Sequence, residues 1–238
     1  MAGSSSPRYG EGGGMDEWQR LASDVRERLT AASSGERTVF AAGVAERLMR
    51  RHESLPPEQR SPFTIGLRPL LDAVWEAALG DTAAFTAVKR GMGEYLLSDY
   101  FHNDGQDGPD DADEPAATAV LHAAASHLHG CADFAVWAGM RAVDAVAQHV
   151  EYLADLADLA GPAGPADPAD PSDGPGSQGA SLLGDPEKAP LEELRRQLHD
   201  LDLVAARSDQ LRYASCGLPV AATARLRAEL RDPLSRQD

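Results

Sequence analysis

The stretch GLRPLLDAVWEAALG, residues 66–80, leaves this chain little choice of fold. Leu67, Leu70, Leu71, Val74, Trp75 and Ala78 recur at the i, i+3, i+4, i+7 spacing that sets apolar side chains along one face of a helix. Asp72 and Glu76, one turn apart, flank that face. A helix this short is marginal alone in water, so its stripe must be buried against other parts of the chain. The rest of the chain is expected to pack around it.

The same period recurs on both sides. Trp18, Leu21, Val25 and Leu29 predict an amphipathic helix from Met15 to about Ser33. Ser34 is the expected N-cap of a second helix, whose stripe is Val39, Phe40, Val44, Leu48 and Met49 and whose last turn carries Arg50 and Arg51, cations that suit the helix dipole. Pro56 and Pro57 break the chain, and Ser61 and Pro62 mark the next start. Gly80 closes the third helix and Asp81 is expected to cap a fourth, with Phe85, Val88, Met92, Leu96 and Leu97 in its stripe. Gly91 and Gly93 weaken that helix by roughly 1 kcal/mol each, which predicts a kink. Pro115 stands at the first position of a fifth helix with Ala117, Val120, Leu121, Ala124 and Leu128 inward, and Gly130 ends it. From Ala132 a long sixth helix runs through Phe134, Trp137, Ala138, Val143, Val146, Val150, Leu153 and Leu156.

The reading is therefore all-α: a single bundle of about six helices over residues 15–160. Residues 1–14 read as a disordered tail, or an extension ahead of a start at Met15. Residues 161–187, rich in proline, glycine, alanine and aspartate, read as a disordered linker with no face to bury. In the C-terminal segment, 188–232, Leu191, Leu194, Leu198 and Leu201 predict an amphipathic helix from Pro190 to Arg207, and Leu226 and Leu230 a shorter one. Their spacing suits docking on the bundle and pairing with another chain equally, a homo-oligomer included.

Composition removes several functions. The formal net charge of -16 and pI near 4.7 argue against a nucleic-acid binder, which needs a basic footprint. Lys89 and Lys188 are the only lysines beside many arginines, and alanine is abundant; this resembles the codon bias of a GC-rich bacterial genome, so the alanine is discounted as structurally uninformative. No apolar run approaches the ~18 residues of a membrane span, and the N-terminus has no signal-peptide core, so a cytoplasmic protein without membrane contact is expected. Cys131 and Cys216 are too few for a disulfide framework.

Candidate chemistry is sparse. Counting Asn103 as position 1 of a calcium loop places Asp107 at 5, Gly108 at 6, Asp111 at 9 and Glu114 at 12, but Gly105 offers no ligand at position 3; a solvated acidic loop is the preferred reading. His122 and His129, two turns apart, with Asp133 and His149 are the weak metal candidates, since no Glu-x-x-His or His-Glu-x-x-His pair accompanies them. Cys131, near the start of the sixth helix, reads as a small buried cysteine rather than a reactive thiol. Gly91-x-Gly93 lacks the rest of a dinucleotide fingerprint, and no P-loop or G-x-S-x-G elbow is present. Glu46-Arg47 borders the core beside Asp72 and Glu76, and Arg47 is expected to pair with one of those two carboxylates as an interhelical tie.

At these residues the chain resembles the YjaG-like family of bacterial domains of unknown function. The similar pieces are FAAGVAERL, 40–48, with its Glu-Arg pair, and LLDAVWEAAL, 70–79, within a span of roughly 28–159; residues 117–156 are similar in pattern only. The resemblance implies a compact all-helical fold and supplies no activity, cofactor or catalytic residue. The acidic loop and the Pro/Asp-rich linker depart from it.

The function expected is that of a non-enzymatic cytoplasmic binding or regulatory protein presenting helix faces and an acidic surface to a protein partner, with no cofactor. One form is an immunity-type protein steered to a basic toxin by its charge. The alternative is a metal-dependent helical-bundle enzyme using the histidines of the fifth and sixth helices.

Overall fold

A computed structural model describes residues 13–60, 64–99, 114–159 and 188–236; all of the elements among them are helical and none is a strand. The calcium-loop reading at Asn103, Asp107 and Asp111 and the linker reading at 161–187 lie outside the described residues, as does the tail up to residue 12. The helices are α1 (Gly13–Ala31), α2 (Ser34–Ser54), α3 (Leu67–Ala78), α4 (Ala84–Leu96), α5 (Glu114–His129), α6 (Ala132–Leu159), α7 (Lys188–Ala205), α8 (Ser208–Ala214) and α9 (Val220–Leu226). A π-helical turn, Arg227–Arg231, and a last turn, Asp232–Leu234, continue α9 without a break, and this C-terminal unit is called the strap below. No described helix is long and apolar enough to cross a membrane.

The centre of the fold is α2, whereas the sequence points to 66–80. Every residue from Thr38 to Met49 is buried, so α2 is enclosed on all sides and α3 lies against one of them. Small residues make this feasible: Ala41, Ala42, Gly43 and Ala45 let neighbouring helices approach closely, and Ala116, Ala117, Ala119, Ala123 and Ala124 of α5 are buried with them in one core. Discounting the alanine was therefore mistaken, because these methyl-sized side chains set the helix spacing. The N-terminus of α2 is fixed by Ser33, one residue before the expected cap. Its hydroxyl accepts from the Glu36 N–H at 3.4 Å while Glu36 Oε2 accepts from the Ser33 N–H at 2.8 Å, a capping box worth about 1 kcal/mol.

The α3 stripe is as expected, with Leu67, Leu70, Leu71, Val74 and Trp75 all buried, and Gly80 leaves the helix at φ +107°. Asp81 does not cap α4; its carboxylate accepts from the Ala83 N–H at 3.0 Å and shapes the turn before the helix. α4 runs as one helix through Gly91 and Gly93, and Gly91 leaves room for Leu70. Phe85, Leu97, Trp137 and Leu156, read as inward, are exposed. On α4 and α6 apolar residues occupy more than one face, and a helix can bury only the face its neighbours cover.

The C-terminal helices dock back on the body. Leu191, Leu194, Leu201, Val204, Leu211, Leu226, Leu230 and Leu234 belong to the same core as α2 and α3. Arg28 of α1 donates to the Leu198 carbonyl at 3.1 Å, and Gln197 of α7 to the Gly139 carbonyl of α6 at 2.9 Å.

Candidate functional site

Glu46 and Arg47, neighbours on α2, send their side chains into two buried networks. Arg47 Nη1 donates to Asp200 Oδ2 of α7 at 2.6 Å and to the Leu234 carbonyl of the strap at 2.9 Å, and Nη2 donates to Glu193 Oε1 at 3.1 Å. Gln197, one turn on from Glu193, completes this site by donating to the same Oε1 at 3.0 Å. Burial works against the Arg47 charge, but Glu193 and Asp200 more than offset it and hold its pKa above the ordinary arginine value. The expected tie to Asp72 or Glu76 is thus made by different partners: the carboxylates that bond Arg47 come from α7.

Glu46 faces the other way. Its Oε1 accepts from Arg50 Nε at 3.0 Å and Arg68 Nη1 at 2.9 Å, and its Oε2 accepts from Trp75 Nε1 and Arg231 Nη2, each at 3.2 Å. Burial pushes the Glu46 carboxyl up, yet Arg68 and Arg231, with the bonds from Arg50 and Arg68, outweigh it and leave the pKa below the usual carboxylate value. Arg68 also forks onto Glu53, Nε to Oε1 and Nη2 to Oε2, both at 2.7 Å. Asp72 and Glu76 do form interhelical ties, with arginines of the strap: Arg231 donates to Asp72, and Arg227 to Glu76. The Arg231 guanidinium lies over the Trp75 ring, 5.8 Å from its centroid.

Every carboxylate in this hub is bonded to an arginine, Glu193 and Asp200 sharing Arg47. What the arrangement does is hold: α2, α3, α7 and the strap converge on two adjacent residues. It also displays a recognition geometry, because α3 presents carboxylates one turn apart to a helix that presents arginines one turn apart. Sequence reasoning missed Glu193, Asp200, Arg227 and Arg231. The last two had a signal, the repeat Leu226-Arg227, Leu230-Arg231, Leu234 at four-residue spacing.

The metal candidates are not gathered. Among the described residues no three His, Cys, Asp or Glu side chains form a set that could hold an ion. His122 and His129 instead stack around Phe134 and Trp137, with His122 5.5 Å from the Trp137 ring and His129 5.6 Å from the Phe134 ring. Burial and then Arg141 lower the His122 pKa; burial and then Arg51 lower that of His149. Asp133 pairs with Arg26 at 3.7 Å and accepts from the Cys131 thiol at 3.5 Å. Cys131 is exposed, not buried, because it sits on the outside of the α5–α6 turn, and Cys216 is exposed too.

A cleft of about 450 Å³ lies between the end of α1, the start of α2 and α7–α8, with Arg28, Ser33, Glu36, Leu201, Ser208 and Arg212 in its wall. Glu36 fills the α2 N-terminus there, and Arg28 is paired with Asp202. Comparison with protein-family models, curated proteins and solved structures returns no match.

Proposed function

We propose that the chain is a non-enzymatic binding or regulatory protein whose partner is another protein. The observation that carries this reading is the α2–α3 edge, where Asp72, Glu76 and Glu46 hold a basic amphipathic helix by charge and leucine side chains together. The charge distribution supports it. Residues 100–113 carry five aspartates and residues 160–187 four aspartates and one glutamate, without a lysine or arginine in either, so ten of the chain's negative charges stand in two short segments. Such concentrated charge accelerates encounter with a basic partner and makes it sensitive to salt. An immunity-type role toward a basic toxin is one form of the proposal, and a cytoplasmic setting belongs to it. So does the likeness to the YjaG-like family: its two segments, 40–48 and 70–79, fall on α2 and α3, the walls of this edge.

The test is affinity capture by the tagged full-length protein from lysate of its own source cells, at low and at high salt, with mass spectrometry of what is retained. A stoichiometric basic protein, lost at high salt, is the expected result. Only background at low salt, together with stoichiometric zinc, iron or manganese in the purified protein, would overturn the reading in favour of an enzyme.

A further inference from the structure

We propose that the groove between α2 and α3 is a receptor for a basic amphipathic helix of a partner protein, and that the strap is the groove's own resident occupant, displaced when the partner binds. This rests on the binding reading above and names its surface and the chemistry of its partner.

The strap shows what the groove recognises. Leu226, Leu230 and Leu234, four residues apart, are fully buried in the core with α2 and α3. Arg227 and Arg231, each following one of these leucines, pair with Glu76 and Asp72, so the strap and α3 run antiparallel with arginines and carboxylates in register. Its C-terminal end and the turn that leads into it seat on glycines. A Cβ on Gly43 would stand 2.9 Å from Leu234 Cβ, and one on Gly80 would stand 2.8 Å from Leu218 Cγ. An amphipathic helix with leucines along one stripe in a groove edged by charge is a common mode of protein recognition.

Three observations argue that this occupant can leave. The strap joins the body through Ser215, Cys216 and Gly217, all exposed, with Gly217 at φ +90°, a backbone region that offers a pivot at low steric cost. Two of its ion pairs lie partly in water, Arg227–Glu76 with Arg227 44% exposed and Arg231–Asp72 with Asp72 46% exposed, and pairs of that kind are weak. The more deeply buried Arg231–Glu46 bond is the one a partner arginine must replace. The fit is also imperfect. The π-turn falls on Arg227–Arg231, the segment that carries both arginines, and Arg227 Nε is buried without a hydrogen-bond partner. Such turns are frequent at functional positions of α-helices, and an unmatched buried donor weakens the docked state. A partner helix with regular α geometry and the same Leu-Arg repeat would keep the contacts without these defects.

The test uses the full chain and a fluorescent peptide of the strap sequence, residues 219–236, as probe. Arg227→Gln with Arg231→Gln in the full chain loosens the resident strap and should raise affinity for the wild-type peptide at least tenfold over the unaltered protein. Adding Asp72→Asn and Glu76→Gln should remove that gain. Amide hydrogen exchange on the unaltered full chain is the second readout, in which residues 222–235 should exchange at least tenfold faster than residues 39–49. Equal protection of strap and α2, or a folded loosened variant that binds the peptide no better, would overturn the proposal. So would a dimer of the unaltered chain in which the groove holds the strap of a second copy. Should a captured protein stay bound in excess strap peptide, the binding reading survives and this groove is excluded as its site.

Discussion

Arg47 and Asp200 stand 153 positions apart in the chain and 2.6 Å apart in the fold, with their side chains only 7% and 5% exposed. A buried pair of this kind contributes little net stability against an apolar pair of the same volume, because both ions leave water. Removing Arg47 is another matter, since the carboxylates of Glu193 and Asp200 then stay buried together without the guanidinium that bonds both. Arg47→Met is expected to cost about 3–5 kcal/mol, on the order of 10 °C in Tm for a chain of this size. Combining it with Glu193→Met and Asp200→Leu should return most of that loss. Thermal unfolding of the single and triple variants checks both statements, and a triple variant no more stable than the single one would contradict the account.

Glu46 makes stability depend on pH with a definite sign. Its folded pKa lies below its unfolded value, so the stability it contributes is fully present above the unfolded carboxylate range near ~4.3 and is lost as pH falls toward the folded value. Glu46→Gln keeps the shape and removes the titration. Urea midpoints measured between pH 7 and pH 3 should show the variant less stable at neutral pH, with the gap narrowing only below about pH 4.3. A gap constant over that range would contradict this assignment.

How far the sequence reaches is visible in the same residues. The α3 stripe was legible because a 3.6-residue period needs no knowledge of the partner surface, and Asp72 and Glu76 were legible as flanking charges. Their arginines were not, because nothing local relates position 72 to 231 or 47 to 200; those pairings exist only once α7 and the strap have docked. Docking itself was open, since leucines at Leu191, Leu194, Leu198 and Leu201 suit a groove in the same chain and one in another equally. The central place of α2 was hidden for a different reason. Alanine and glycine give no amphipathic signal, yet they allow a helix to be covered on every side. Among the histidines, spacing put His122 and His129 on one face correctly, but their neighbours there are Phe134 and Trp137, which no spacing within α5 reveals.

Two glycines should respond in opposite directions to one methyl group. At Gly43 a Cβ would meet Leu234 at 2.9 Å, so Gly43→Ala must push the strap outward and is expected to cost about 1–3 kcal/mol. At Gly93, within α4, a Cβ would meet nothing within 4 Å, and Gly93→Ala should stabilise by about 0.5–1 kcal/mol through helix propensity. Chemical denaturation reads both. Limited proteolysis should also find the C-terminus of Gly43→Ala cut sooner than that of the unaltered chain, with Gly93→Ala unchanged.

Trp75 and Trp137 separate the core from the surface on the same chemistry. Trp75 is 0% exposed, donates to Glu46 and carries the Arg231 guanidinium over its ring, so Trp75→Ala removes a large apolar side chain and leaves Glu46 short of a donor. The expected cost is about 3–5 kcal/mol, in the range of a large core deletion. Trp137 is 45% exposed and its ring contacts are His122 and Phe134 on the α5–α6 face. Trp137→Ala should therefore change stability by less than about 1 kcal/mol, as expected for a substitution away from the core. Urea unfolding followed by far-ultraviolet circular dichroism measures the two on one scale, and comparable losses would mean that Trp137 is held in the core after all.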